Sequence, residues 1–445
     1  MNVAVIGAGW AGLAAAVALK QSGAQVAVFE ASGTSGGRAR GVNDLQLGTI
    51  DNGQHLMLGA YTESLALIKQ LSPKRSEHEL LLRVPLTLES ADGSFRLGAP
   101  RLIAPLHLVW GLSFARGLTI SERASALRMA GVIRLRGWQA ATNQNVRDLL
   151  VQYKQSDVLI RKIWEPLCLA ALNTPLEQAC AQLFLNVLRD GLGGARSGSD
   201  LIVPRVDLST LWPAAAAQHV SMRYRHIVRN LQIHEDGVDV DHERFDACVL
   251  AVPPYAARRI LAECLDDRNA AITGLRQGLE GFDYRAIATL TLQLEKSWSI
   301  PVPMMMLDEN IASHQYGQWI FSRPDHSDQA TVVVSDAPDL LKIDRDVLVE
   351  AISTQIRTQC QRHPKAIDTL PPVIHHRLIV EKRATFDARV GLQRPSATTP
   401  WPRLTLAGDW TDTGYPAVLE GAVRSGLHAA KILLQNQTIR AGTAQ

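Results

Sequence analysis

The chain has 445 residues with 46 Lys and Arg against 43 Asp and Glu, a net charge of +3 that gives little ground for nucleic-acid binding. Its length suits two or three domains with a large core, and 46% hydrophobic with 20% charged residues excludes a disordered chain, a collagen-like repeat and a disulfide scaffold. Five cysteines without a CxxC pair fit a reducing, cytoplasmic compartment, and a mean hydropathy of −0.01 is rather apolar for a soluble enzyme although no run of 18 apolar residues is present to span a bilayer.

The N-terminus reads as a buried strand from Val3 to Ile6, a tight turn, a helix from about Trp10 to Gln21, and a second strand from Gln25 to Glu30. It lacks the basic start of a signal peptide, and Gly7, Gly9 and Gly12 interrupt the apolar run. Those glycines form a G-x-G-x-x-G fingerprint in its proper context. Gly7 makes the tight turn, Gly9 lets backbone approach a pyrophosphate, and Gly12 allows close helix–strand packing. The helix N-terminus faces the phosphates. Glu30 ends the second strand, where its carboxylate can accept hydrogen bonds from ribose hydroxyls. The alternative is an ordinary βαβ unit with a Gly-rich turn.

The loop after Glu30 carries Gly36, Gly37, Arg38 and Arg40. Arg38 can complement pyrophosphate charge, while Arg40 reads equally as a solvated cation. Then comes Asp51-Asn-Gly53-Gln54-His55-Leu-Met-Leu-Gly-Ala-Tyr61. The stretch 100–117 is unusually apolar, with Trp110 and Phe114 inside and Arg101 and Arg116 at its flanks. It either lies in the interface plane of a membrane or is a buried helix. Helices are predicted over about 121–189, including the apolar Trp164-Glu-Pro-Leu-Cys-Leu-Ala-Ala-Leu-Asn-Thr-Pro175, which reads as core or as the wall of a lipid pocket. The run from Phe245 to Pro254 suits a strand buried on both faces. Strand-like runs at 286–294, 318–322, 331–335 and 373–380 suit an antiparallel sheet with one face toward a ligand. Near the C-terminus a short strand runs into Gly408-Asp409, then a loop holding Asp412, Gly414 and Tyr415, then a helix from about Ala417. Asp409 can hydrogen-bond the hydroxyls of a ribityl-like chain, and the helix N-terminus can stabilise an anionic ligand ring. Gly421 and Gly426 suit close packing of that helix. The tail after Gln435 looks polar and frayed.

The G-G-R element after the ribose glutamate, together with the AGD…EGAxxSG segment, resembles the FAD-binding amine oxidase and carotenoid desaturase superfamily. That resemblance implies FAD as cofactor and no metal. It implies cofactor contacts at Gly7, Gly9, Trp10, Ala11, Gly12, Glu30, Ala31, Gly37, Arg38, Gly53, Gln54, His55, Val228, Gly408, Asp409, Val418 and Leu419. Val228 would meet the adenine through its backbone. The segments GQHLMLGAY, APLHLVWGL, WEPLCLAALNTP, Pro204-Arg205-Val-Asp-Leu-Ser209 and GDWTDTGYPAVLEGAVRSG resemble the hydroxysqualene dehydroxylase family, over most of the chain from Val3 to about Leu433. This second resemblance implies loss of an allylic hydroxyl from a C30 isoprenoid, giving squalene for hopanoid biosynthesis. His55, then Tyr415 and Asp412, are the candidate proton donors. Polyisoprene desaturation, amine oxidation and a non-enzymatic polyprenyl-lipid carrier are the competing readings.

The expected fold is α/β: a discontinuous Rossmann-like FAD-binding domain (1–80, 215–275 and 396–438) with an inserted α+β substrate domain (81–214, mostly helical, and 276–395, an antiparallel sheet) and a tail at 439–445. Expected partners are the C30 substrate, a peripheral contact with the inner face of the cell membrane and, by family analogy, a neighbouring hydroxysqualene-forming enzyme. No nucleic acid is expected.

Overall fold

A computed structural model describes residues 1–265, 269–323, 325–337 and 339–443. A five-stranded parallel sheet forms its base, in the order 221–223, 25–29, 2–6, 247–250 and 404–406. Val3 pairs with Val26 on one side and Ala247 on the other, and Leu250 pairs with Leu406. Each inner strand is covered on both faces, so its sequence is continuously apolar rather than alternating. Val3, Ala4, Val5, Cys248, Val249 and Leu250 are all fully buried. At about 1.5–3 kcal/mol for each large aliphatic side chain removed from water, this layer is a principal source of stability.

The helix Trp10–Gln21 lies over that sheet and against the long C-terminal helix Leu419–Thr443. Two glycines set how closely these elements meet. A Cβ on Gly12 would sit 1.9 Å from the Gly7 carbonyl oxygen, and one on Gly426 would sit 2.0 Å from that of Ala11. The C-terminal helix continues through Thr443, where the sequence suggested fraying from Gln435; of the tail at 439–445, residues 444–445 lie outside the described residues.

A second five-stranded sheet stands beside the first, antiparallel in all its pairings, in the order 304–306, 319–323, 326–335, 284–294 and 373–386. Between irregularities near Arg285, Gln293 and Ser322, side chains alternate between its two faces. Ile287, Thr289, Trp319, Phe321, Val333 and Ser335 face a large cavity. Their neighbours Ala288, Leu290, Ile320, Val332 and Val334 pack in one cluster with Leu348, Ile352 and Ile356 of the helix Arg345–Cys360.

Helices from the first insertion close the cavity opposite this sheet. The helix Ile120–Leu135 starts at a reciprocal cap between Thr119 and Glu122. Two π-helical turns follow: Ile160–Trp164 interrupts a helix, and Arg189–Gly193 ends the helix Ala181–Leu188. An inserted residue changes which side chains face inward, and both turns border the cavity, through Ile163, Trp164, Gly191 and Leu192. The chain is therefore α/β: a discontinuous Rossmann-like layer with an inserted α+β layer.

Candidate functional site

The site is one continuous cavity of about 760 Å³ running from the parallel sheet into the inserted layer. At its polar end the fingerprint glycines make a cradle. Gly7 adopts φ +104°, and a Cβ there would lie 2.4 Å from the Ala251 carbonyl oxygen. Gly9 is the N-cap of the first helix, and a Cβ on it would meet only Gly37 Cα at 4.0 Å, so space before the helix N-terminus is open. Free N–H groups and the helix dipole there favour a phosphate. Trp10 donates its indole N–H to the Ala39 carbonyl at 3.1 Å and so ties the Gly-rich loop to the cradle.

Glu30 follows the second strand. Its carboxylate accepts from the Ala8 amide at 2.7 Å and the Ser32 amide at 2.8 Å, which fixes its direction and leaves further lone pairs for hydroxyl donors. Ile227 and Val228 border the same end. The Val228 amide has no acceptor among the described residues, as an adenine contact would require.

Arg38 and Asp409 meet across 371 positions of sequence. One guanidinium nitrogen donates to both Asp409 oxygens at 2.7 Å, and the other to the Ala384 carbonyl at 2.6 Å. Burial works against the guanidinium charge, but the Asp409 carboxylate outweighs it and holds the pKa above its ordinary value. The sequence assigned these residues separately to pyrophosphate and ribityl; the structure makes them one ion pair whose remaining surface faces the cavity. Behind Asp409, the sequence reading missed Arg394. It donates to the carbonyls of Asp409, Trp410, Thr411 and Tyr415 and so staples the 409–415 loop. Burial lowers its pKa to about 10, against the pull of Asp412 and Asp409.

The cavity lining includes every residue of the expected cofactor set except Gly12, which packs beneath the cradle. The proton-donor candidates separate. His55 lines the cavity, with Nδ1 2.6 Å from the Gly53 carbonyl. That contact fixes the Nδ1–H tautomer and aims Nε2 elsewhere. Burial and the nearby Arg38 lower its pKa, against the Gly53 contact, which raises it. Tyr415 and Asp412 are corrected: neither lines the cavity. Asp412 is exposed, and the Tyr415 hydroxyl donates to Asp190 on the second π-helical turn. Sequence reasoning also missed Tyr61, which lines the cavity and has no hydroxyl partner among the described residues. Burial, then Glu420 and Tyr415, raises its pKa, so its phenol stays protonated.

Beyond His55 the walls turn apolar. Leu86, Leu88, Leu97, Met129 and Ile133 face Met304, Trp319 and Phe321, with Trp164, Leu167 and Phe184 between. The Trp164 indole N–H is satisfied by Gln155 at 2.9 Å, so its ring can serve as wall. Within the WEPLCLAALNTP segment, Trp164, Leu167, Ala170, Ala171 and Asn173 border the cavity, while Cys168 is core. The PRVDLS segment is not at the cavity. Asp207 caps a short helix, Ser209 accepts from the Gly41 amide, and Leu208 donates to Asp51. Such a cavity can hold a dinucleotide at one end and a long apolar molecule at the other, with few competing polar contacts.

Comparison with known proteins agrees. Residues 10–434 match the family model of the flavin containing amine oxidoreductases. The chain is 31% identical to a hydroxysqualene dehydroxylase of Rhodopseudomonas palustris, over 97% of this chain and 98% of that one. It is 28% identical to a hydroxysqualene dehydroxylase of Zymomonas mobilis, over 97% and 99%. Among solved structures, cyclohexylamine oxidase from Brevibacterium oxydans shares the fold at a TM-score of 0.71, with 17% identity over 98% of this chain and 99% of the other.

Proposed function

The chain belongs to the flavin-containing amine oxidoreductases, and within them to the hydroxysqualene dehydroxylases; from that premise we propose that it converts hydroxysqualene to squalene. It is an FAD-dependent oxidoreductase. The observation that carries the substrate reading is the continuity of the dinucleotide cradle with an apolar cavity long enough to need walls from both insertions.

FAD, when bound and reduced, supplies a hydride. The substrate alcohol is allylic, so protonation lets it leave as water, and the resulting cation is delocalised. The products balance as squalene, water and oxidised cofactor. The Gly7–Gly12 cradle, Glu30 and the Arg38–Asp409 pair hold the cofactor, with Gly53, Gln54, Val228, Val418 and Leu419 around it. His55, as the imidazolium, delivers the proton from Nε2 while Nδ1–H stays on the Gly53 carbonyl. Leu86, Leu88, Met304, Trp319 and Phe321 hold the chain and exclude water that would trap the cation. A C30 isoprenoid dissolves in lipid rather than water, which supports a peripheral contact with the membrane; a neighbouring enzyme that forms hydroxysqualene is part of the same proposal. No helix among the described residues is long and apolar enough to cross a membrane.

The test is anaerobic. The flavoprotein is reduced and mixed with hydroxysqualene, and reoxidation with squalene appearing by mass spectrometry is expected. A flavin that stays reduced with hydroxysqualene, but is bleached from its oxidised form by a polyene or an amine, overturns the reading.

A further inference from the structure

The helix Leu106–Ser113 presents three different stripes. His107 and Gly111, four apart, face inward. His107 is 1% exposed, with Nε2 2.9 Å from the Ser199 hydroxyl, and a Cβ on Gly111 would sit 3.1 Å from the Gly98 carbonyl oxygen. Leu108 and Leu112, again four apart, line the cavity. The third stripe faces outward and is apolar as well. Ile103 is 75% exposed, Leu106 51%, Trp110 50% and Phe114 61%, with the Trp110 and Phe114 rings packed at 4.3 Å. Ile120, at the start of the next helix, is 83% exposed.

Large side chains clustered on one exposed face mark a binding surface rather than scatter. From Pro100 to Ser121 there is no acidic residue, and the flanking Arg101 and Arg116 are exposed and make no ion pair among the described residues. Apolar side chains with a cationic rim match an anionic lipid surface, the apolar stripe sinking into the acyl boundary and the arginines remaining at the headgroups. A polar protein partner would offer nothing to Ile103, Leu106 and Phe114.

We propose that this helix is the seat of the protein on an anionic lipid surface and the wall past which an apolar substrate passes from that surface into the cavity. A single helix separates the two: its outer stripe meets lipid and Leu108 and Leu112 meet the ligand. The portal role rests on the isoprenoid-substrate reading; the lipid seat does not. The polar His107–Ser199 contact holds the helix to the body of the protein while both of its other faces are apolar.

The test uses the FAD-loaded protein and vesicles of phosphatidylethanolamine with phosphatidylglycerol, and phosphatidylcholine vesicles beside them. Flotation with the anionic vesicles, weakened by salt and by phosphatidylcholine, is expected. The combined Ile103→Ser, Trp110→Ser and Phe114→Ser variant changes only exposed side chains and should keep FAD and its melting temperature. Its vesicle binding should fall at least tenfold. Arg101→Gln with Arg116→Gln should bind more weakly and lose salt sensitivity. Turnover of the triple variant should fall for vesicle-embedded hydroxysqualene but hold for detergent-dispersed substrate. Wild-type protein that remains unbound, or a triple variant that floats equally, overturns the lipid seat. So does a wild-type dimer that the triple variant dissociates without any vesicle binding, since the face is then an interface between copies. If vesicles bind but hydroxysqualene is inert in both forms, the substrate reading and the portal fall together while the lipid seat stands.

Discussion

Single residues show where sequence reasoning reaches and where it stops. The place of Glu30 was legible because local spacing after the fingerprint puts it just past the second strand, at the rim of the cavity. Tyr415 was not, because its direction depends on Asp190, 225 positions away on a π-helical turn that no local pattern announces. His55 lies between these cases: its loop was legible, its protonation was not. Burial disfavours the imidazolium, so the acid form is populated only below the ordinary histidine range near 6.5. A group with a lowered pKa is the stronger acid but the rarer one. If His55 supplies the proton, turnover should rise as pH falls below 6.5 and flatten in His55→Ala, whose rate should drop by about 10²–10⁴-fold, the usual worth of a positioned acid. A pH series of turnover in both proteins decides this. A flat wild-type profile with full activity in His55→Ala removes His55 as the donor and leaves the Tyr61 phenol, which stays protonated throughout.

At the scale of elements, period and punctuation fixed most of the secondary structure. The first helix spans Trp10–Gln21, as its flanking glycines suggested. Four antiparallel strands fall on the strand-like runs of the sequence, though one begins earlier, at His326, and the last extends to Phe386, while the edge strand Met304–Met306 was missed. The segment 100–117 could not be resolved from sequence, since an apolar run shows no direction. The structure gives it one stripe in the cavity and one in the open. Gly421 and Gly426 looked alike in the sequence but are unlike in the packing. A Cβ on Gly421 would find its nearest atom at 3.3 Å, on the Tyr415 side chain, whereas one on Gly426 would collide with Ala11 backbone. Replacing a helical glycine by alanine gains up to about 1 kcal/mol in propensity. For Gly421→Ala that gain should offset the tight contact, leaving stability near wild type. For Gly426→Ala the two helices must separate, and a net loss of about 1–3 kcal/mol is expected. Urea midpoints at equal m-values measure both, and a Gly426→Ala midpoint at or above wild type would refute the close crossing.

For the molecule as a whole, the cofactor site is assembled from chain pieces that contribute little alone. The cradle comes from residues 7–12, residues 226–228 border the same end of the cavity, and the ion pair joins residue 38 to residue 409. The five strands of the parallel sheet come from three segments separated by the two insertions, so the sheet and the site close together. The sequence grouped 1–80, 215–275 and 396–438 through their motifs and the family resemblance, but the insertions hide which distant strands pair. Its thermodynamic consequence is direct. A ligand that binds only the native form adds RT ln(1 + [L]/Kd), about 2.7 kcal/mol at a hundredfold excess over Kd. FAD touching all three pieces should therefore raise the stability of the entire fold rather than one loop. Stripping FAD should lower the melting temperature in a single transition, and adding it back should restore the original value. Glu30→Ala, with the ribose acceptor gone but Ala8 and Ser32 still in place, should be purified with less FAD and melt near the stripped wild type. Added FAD should lift its melting point only at higher concentration. Calorimetry with and without FAD reads both proteins. Separate transitions, with only the lower one moving on cofactor addition, would mean that the three pieces are held together by the insertions and not by the site they share.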